Sequence, residues 1–257
     1  MKKILIVSDF HCGHVVGLTP PGYYGGAHGW AEKAARAYWN WFETNVRLAG
    51  PFDIIFANGD LIDGKGEKSG GTEQITTNRE TQAEMAVKVL RSIPVNQGAK
   101  FVVTRGTPYH TGSGEDWENQ VAAAVCAKIG EHEWVSVEGV TFDLKHHPAG
   151  GSAVPHGRHT AVARDRLWSV LWAERGMQPK ADIFIRSHVH YHTFSGGPDW
   201  LAMTTPALQG FGSKYGARRC SGIVDFGFVT FAVDQGKYSW EPHIAKLKEQ
   251  KATLTRL

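Results

Sequence analysis

Four short segments of this 257-residue chain each close an apolar run with side chains that bind metals or move protons. They are Asp9-Phe10-His11, Asn58-Gly59-Asp60-Leu61-Ile62-Asp63, Lys145-His146-His147-Pro148 and Arg186-Ser187-His188-Val189-His190. Strand alternation points Asp9 and His11 to one side and Phe10 to the other, and it does the same for His188 and His190 around Val189. Gly59 permits a tight turn that sets Asp60 at a strand tip. Taken singly, each segment is most simply a structural hydrogen-bonded pair or a turn; four strand ends offering carboxylate and imidazole groups together imply metal binding. Such ligands suit Zn, Fe, Mn or Ni, and they outnumber the needs of one tetrahedral ion. Two ions sharing a carboxylate satisfy the count. Ion pairs of this kind, ~3.5–4 Å apart, clamp the attacking and leaving oxygens of an in-line displacement at phosphorus and acidify a bridging water. The chemistry implied is phosphoester hydrolysis.

The order Asp-x-His, Gly-Asp-x-x-Asp, a glycine loop with a histidine, a separate histidine and then His-x-His resembles the calcineurin-like metallophosphoesterase superfamily over residues 4 to about 192. The resemblance implies a four-layer α/β/β/α sandwich of two mixed sheets flanked by helices. It also implies that Asp9, His11 and His190 bind one ion, Asp60 bridges, and His146 and His188 bind the second. His146 is favoured over His147 as the first histidine of that strand end. The third motif departs from the family pattern, in which Gly-Asn-His supplies an asparagine ligand and a catalytic histidine. Here the segment is Arg105-Gly106-Thr107-Pro108-Tyr109-His110, so Thr107 stands at the asparagine position and His110 comes two residues late. His110 either replaces the asparagine as a ligand or protonates the leaving oxygen. This variant resembles a subset common in bacteriophage genomes. Asp63 is read as the carboxylate that orients a ligand histidine, with helix capping as its alternative. Arg105, Arg158 and Arg164 are read first as surface salt-bridge residues, with bidentate phosphate binding as the alternative for each.

These groups need strands to carry them. Ile4 to Val7, Asp53 to Ala57, Phe101 to Thr104 and Ile183 to Ile185 read as strands. Tyr38, Trp41, Phe42, Val46 and Ala49 form the core stripe of a helix from about Trp30 to Leu48. A second helix opens at the capping-box spacing Thr77 to Glu80 and stops before Pro94. A third, from Ser113-Gly114-Glu115-Asp116, carries Trp117, Val121, Ala124, Val125 and Lys128 on one side, and a fourth spans about Thr160 to Arg175. Strands and turns follow from Leu201 to Trp240. Gly13 to Gly29, Gly64 to Thr72 and Pro148 to Gly157 are loop-like, at the carboxyl ends of strands where open α/β sheets bind ligands.

Composition agrees with one domain over residues 1–243 and a charged tail over 244–257. Hydrophobic residues make up 42% and charged residues 21%, near globular averages. With 28 Lys+Arg against 25 Asp+Glu the net charge is +3, too small to argue for nucleic acid or membrane binding. The N-terminal apolar run ends at Ser8-Asp9, and no stretch approaches the ~20 apolar residues of a membrane helix. Cys12, Cys126 and Cys220 make neither a disulfide framework nor a metal knuckle, which fits a reducing, cytoplasmic setting. The expected activity is hydrolysis of a small-molecule or nucleotide phosphodiester by a hydroxide bridging two divalent ions. The alternatives are a nuclease on DNA or RNA, a phosphomonoesterase, and a catalytically weak metal-binding scaffold.

Overall fold

The computed structural model describes residues 1–27, 29–112, 114–148, 150, 154–210, 224–247 and 255–256. In chain order the elements are β1 (Lys2–Val7), α1 (Trp30–Ala49), β2 (Phe52–Asn58), α2 (Arg79–Ser92), β3 (Val95–Thr104), α3 (Pro108–Thr111), α4 (Trp117–Ala124) and β4 (Lys128–Gly130). They continue with β5 (His132–Val137), β6 (Val140–Lys145), α5 (Arg158–Glu174), β7 (Ile183–Arg186), β8 (Thr193–Gly197), β9 (Trp200–Thr204), β10 (Gly227–Asp234) and β11 (Lys237–Ile244). The strands form two mixed sheets, ordered β11-β10-β1-β2-β3-β4 and β5-β6-β7-β9-β8. In the first, β1 to β4 run parallel and β10 returns antiparallel to β1; in the second, β6, β7 and β9 are parallel with antiparallel edges.

Alternation along the strands divides the core. On β1, Leu5 and Val7 join the cluster beneath α1, α2 and α4, while Ile4 and Ile6 join the one between the sheets with Phe56, Phe142, Ile183, Met203 and Phe231. A smaller cluster of Val162, Phe184 and Ala202 seats α5 on the outer face of the second sheet. The layers are therefore α/β/β/α. Buried aromatics at the inter-sheet seam, Phe56 against Phe142 and Phe142 against Phe231, each contribute about 1.5–3 kcal/mol by burial.

Several element boundaries differ from expectation. The α2 N-cap is Asn78, whose side chain accepts from Thr81 N at 3.0 Å; Thr77 is one residue too early. Helix α4 is capped by Asp116 and ends at Ala124, so Lys128 belongs to β4, not to a helix face. Cys126, with φ of 54°, turns the chain between them. At the C-terminus β11 extends through Ile244, and Ala245 and Leu247 pack on the core, past the point where the sequence suggests a tail begins. Most of the remaining tail, part of the loop Pro148 to Gly157, and Cys220 lie outside the described residues.

Candidate metal centre

The convergence of the charged groups is not strand alternation. Strands β1, β2 and β7 stop at Val7, Asn58 and Arg186, and beyond them Asp9, His11, Asp60, His188 and His190 all take positive φ, between 44° and 69°. They are five of the eight such non-glycine residues among those described. A left-handed backbone costs an L-residue free energy and persists only where surroundings impose it, typically at functional sites. Backbone pairing supplies the imposition. Asp9 N donates to Gly59 O (2.9 Å), His11 N to Asp60 O (3.0 Å), Asp63 N to Cys12 O (3.1 Å) and Ser187 N to His146 O (2.8 Å), which carries sheet-like bonding past the strand ends. A Cβ at Gly106 would collide with the backbone and carboxylate of Asp60, so only glycine lets the β3 loop lie against that residue.

Asp60 sits at the middle. Its Oδ1 accepts Thr107 N at 2.6 Å, which leaves Oδ2 facing three imidazoles: His146 Nε2 at 3.0 Å, His11 Nε2 at 3.9 Å and His188 Nδ1 at 3.9 Å. On one side Asp9, His11 and His190 bring their ligand atoms within 4.8 Å of one another, with His190 Nε2 3.2 Å from both Asp9 Oδ1 and His11 Nε2. On the other side His146, His147 and His188 do the same. All six residues expected as ligands are in this centre, together with His147 and His110.

Hydrogen bonds select which nitrogen faces inward. His11 Nδ1 donates to Asp63 Oδ1 (2.7 Å), His146 Nδ1 to Asn58 O (2.7 Å) and His110 Nδ1 to Asp63 O (2.8 Å), so each ring turns Nε2 toward the site. Gln74 Nε2 donates to the second Asp63 oxygen at 2.7 Å. Electrostatics separate the groups by charge. Burial raises the Asp9 carboxyl, but His190 and His146 outweigh it and hold it at about 2. Asp60 and Asp63, also buried, are likewise held low by surrounding histidines. Burial pushes His11 down to about 4 despite Asp63. His146 is the reverse: burial lowers it, and the Asp60 and Asp9 carboxylates raise it to about 10. Its Nε2 is buried, 3.0 Å from Asp60 Oδ2 and 3.9 Å from Asp9 Oδ1 but out of line for a hydrogen bond to either. A ring nitrogen set in this way between two buried carboxylates suits a divalent cation in place of a proton, as do the oxygen and imidazole donors around it.

His110 is not beside the second histidine group. It lies near His11, their rings 4.6 Å apart, and it clusters with His11 and Asp60. Thr107 Oγ1 occupies the other side, 3.2 Å from Asp60 Oδ2 and 3.3 Å from both His147 Nε2 and His188 Nδ1.

The arginines divide between the two readings. Arg105 is engaged by Asp116 at 2.7 Å and by Glu131 at 3.6 Å, because its side chain folds back on the α4 N-cap, so its guanidinium is not presented to a phosphate. Arg164 is exposed on α5. Arg158 stacks over Tyr191, next in sequence to His190, at 4.4 Å. Glu118 is a residue that sequence reading missed. Fully buried on α4, it accepts Leu61 N at 2.8 Å and Gly106 N at 2.7 Å, pinning together the loops that carry Asp60 and Thr107. Burial and the nearby Asp60 charge push it up to about 7. The available signal was a carboxylate in the apolar stripe Glu118, Val121, Ala122, Val125.

No protein-family profile and no curated protein matches the chain. Among solved structures it is similar to Vps29 of Entamoeba histolytica in complex with Zn2+, at 14% identity and TM-score 0.47, over 94% of this chain and 98% of the other. It is similar also to an archaeal phosphodiesterase at 14% identity and TM-score 0.44, over 94% and 99% of the two chains. A third is a predicted phosphoesterase of Streptococcus pneumoniae, at 11% identity and TM-score 0.39, over 94% and 98%. Among the described residues no helix is long and apolar enough to cross a membrane.

Proposed function

We propose that the chain is a two-metal phosphoesterase of the calcineurin-like superfamily, with phosphodiesters as the favoured substrates. The observation that carries this reading is Asp60 Oδ2, within 4 Å of imidazole nitrogens from both histidine groups, so that Asp60 would serve both of two ions. Divalent ions held by these residues would supply Lewis acidity that activates water and neutralises charge on phosphorus oxygens. The remaining work belongs to the protein. Asp63 holds the His11 ring so that Nε2 faces inward, and Asp9 and Asp60 keep their negative charge at any ordinary pH. His110, its Nδ1 committed to Asp63 O, presents Nε2 to protonate a departing alkoxide. Arg158, beside Tyr191, is the candidate for a non-bridging phosphate oxygen. A reducing, cytoplasmic setting goes with this reading, supported by the unpaired thiols of Cys12 and Cys126.

The test is turnover of an aryl phosphodiester and an aryl phosphomonoester by the purified chain with added Mn2+, alongside Asp60→Asn. The diester is expected to turn over faster, and Asp60→Asn to lose activity and bound metal together. Metal bound at two per chain with no turnover of either substrate rejects the enzyme reading in favour of a scaffold. Cleavage of DNA but not of the small diester moves the assignment to a nuclease.

A further inference from the structure

The third motif lacks the amide that resemblance leads one to expect at position 107, and His110, the replacement that the sequence offered, lies against His11 and not beside the second histidine group. We propose that His147 is the replacement, a direct ligand of the second metal position beside Asp60, His146 and His188; this rests on the two-ion reading above. Three observations converge on it. The ligand atoms of His146, His147 and His188 lie within 4.8 Å of one another. The His147 and His188 rings are 3.9 Å apart, and Nε2 of the one and Nδ1 of the other both lie 3.3 Å from the same hydroxyl, Thr107 Oγ1, which is itself 3.2 Å from Asp60 Oδ2. Finally, His146 and His147 are set at an interplanar angle of 90°, so consecutive residues approach from different directions, one buried and one from the solvent side.

The Thr107 hydroxyl thus marks where a carboxylate and two imidazoles point, and it is a weaker donor than any of them. A small cation there gains an imidazole from His147 in exchange for the missing amide. The two positions then differ in kind. The first has Asp9, Asp60, His11 and His190, two carboxylates and two imidazoles; the second has one carboxylate and three imidazoles. Nitrogen-rich sites prefer Zn, Ni and Co, whereas carboxylate-rich ones accept Mn more readily. Both positions are expected to bind Co2+ more tightly than Mn2+, and the margin is expected to be wider at the second.

The deciding experiment uses the full chain, stripped with a chelator and titrated with Co2+ and with Mn2+, while bound metal is counted and the Co2+ visible spectrum is followed. The native chain is expected to bind two Co2+. His147→Ala is expected to keep one and to bind the second about tenfold or more weakly, with loss of its spectral component. His147→Asn, which restores an amide, is expected to recover part of that affinity. Because His147 is exposed, both variants are expected to unfold thermally like the native metal-free chain. A native chain binding two ions and a His147→Ala chain binding two at the same affinity overturn this inference alone. A native chain that binds fewer than two overturns the two-ion reading and this inference with it.

Discussion

At the scale of single residues, the centre is organised by hydrogen bonds that commit one ring nitrogen of each of three histidines and leave the other free. His110 shows the consequence. Its Nδ1 is held by the Asp63 carbonyl, only Nε2 remains for chemistry, and it lies beside His11, away from His188. In the proposed function His110 is a proton donor, which affects turnover and not metal retention. His110→Ala is therefore expected to lower turnover by about 100-fold or more while both ions stay bound, as read by steady-state assay and metal analysis on one preparation. Loss of an ion from that variant would make His110 a ligand instead. The histidine identities were legible in the sequence, because period and position set them at strand ends. Their tautomers were not, since the partners of His146 and His110 are backbone carbonyls of Asn58 and Asp63, and any residue supplies a carbonyl.

At the scale of elements, the loops that carry the clustered carboxylates and imidazoles are braced from outside. The loop after β2 and the loop after β3 meet on Glu118 of α4, whose carboxylate accepts one N–H from each. Removing it leaves two buried donors unpaired, at about 1–3 kcal/mol apiece. Glu118→Ala is expected to lose about 2–4 kcal/mol in urea unfolding and to weaken Mn2+ binding, although the residue touches no ligand atom. The first two helices were readable from their stripes and caps because α1 and α2 are long enough to show a period. Helix α4 has 8 residues, fewer than three turns, and its stripe was extended too far; the turn at Cys126 and the strand β4 follow from docking against β3, which no local pattern announces.

At the scale of the whole molecule, the two sheets are joined beneath the centre by a chain of buried hydroxyls. Ser8 Oγ meets Thr205 Oγ1 at 2.8 Å, Thr205 Oγ1 meets Ser187 Oγ at 2.8 Å, and Asn58 Nδ2 donates to Ser187 Oγ at 2.6 Å, so β1, β2, β7 and β9 share one network. The outer layer is tied down by charge. Arg186, 1% exposed, pairs with Asp143 at 2.7 Å and with Asp165 of α5 at 3.2 Å, while Ser169 of α5 donates to Asp143 at 3.1 Å. Burial would raise the Asp143 carboxyl, but Arg186 and His132 outweigh it and hold it at about 2, against an ordinary 3.8. Because the folded value is the lower one, this stabilisation is complete above about pH 4 and is lost as pH falls toward 2. Asp143→Asn, which removes one of the two carboxylates that balance the buried Arg186, is expected to cost about 3 kcal/mol near pH 6. That gap is expected to narrow by about 2 kcal/mol at pH 2, measured by denaturant unfolding at both values.

Residue order alone offered Asp and His side chains at strand ends and the metal class they suit, because glycine turns and ligand chemistry are local properties written along the chain; the layered α/β arrangement came from the family resemblance that their order carries. Only the tertiary structure decided that the ligands converge through left-handed kinks and not through strand alternation. It also decided that Arg105 is occupied by Asp116, that Glu118 clamps two loops, and that His147 stands beside His188. The Glu118 clamp and the Arg105–Asp116 pair depend on how α4 docks beside β2 and β3, and the His147–His188 pair on the pairing of β6 with β7.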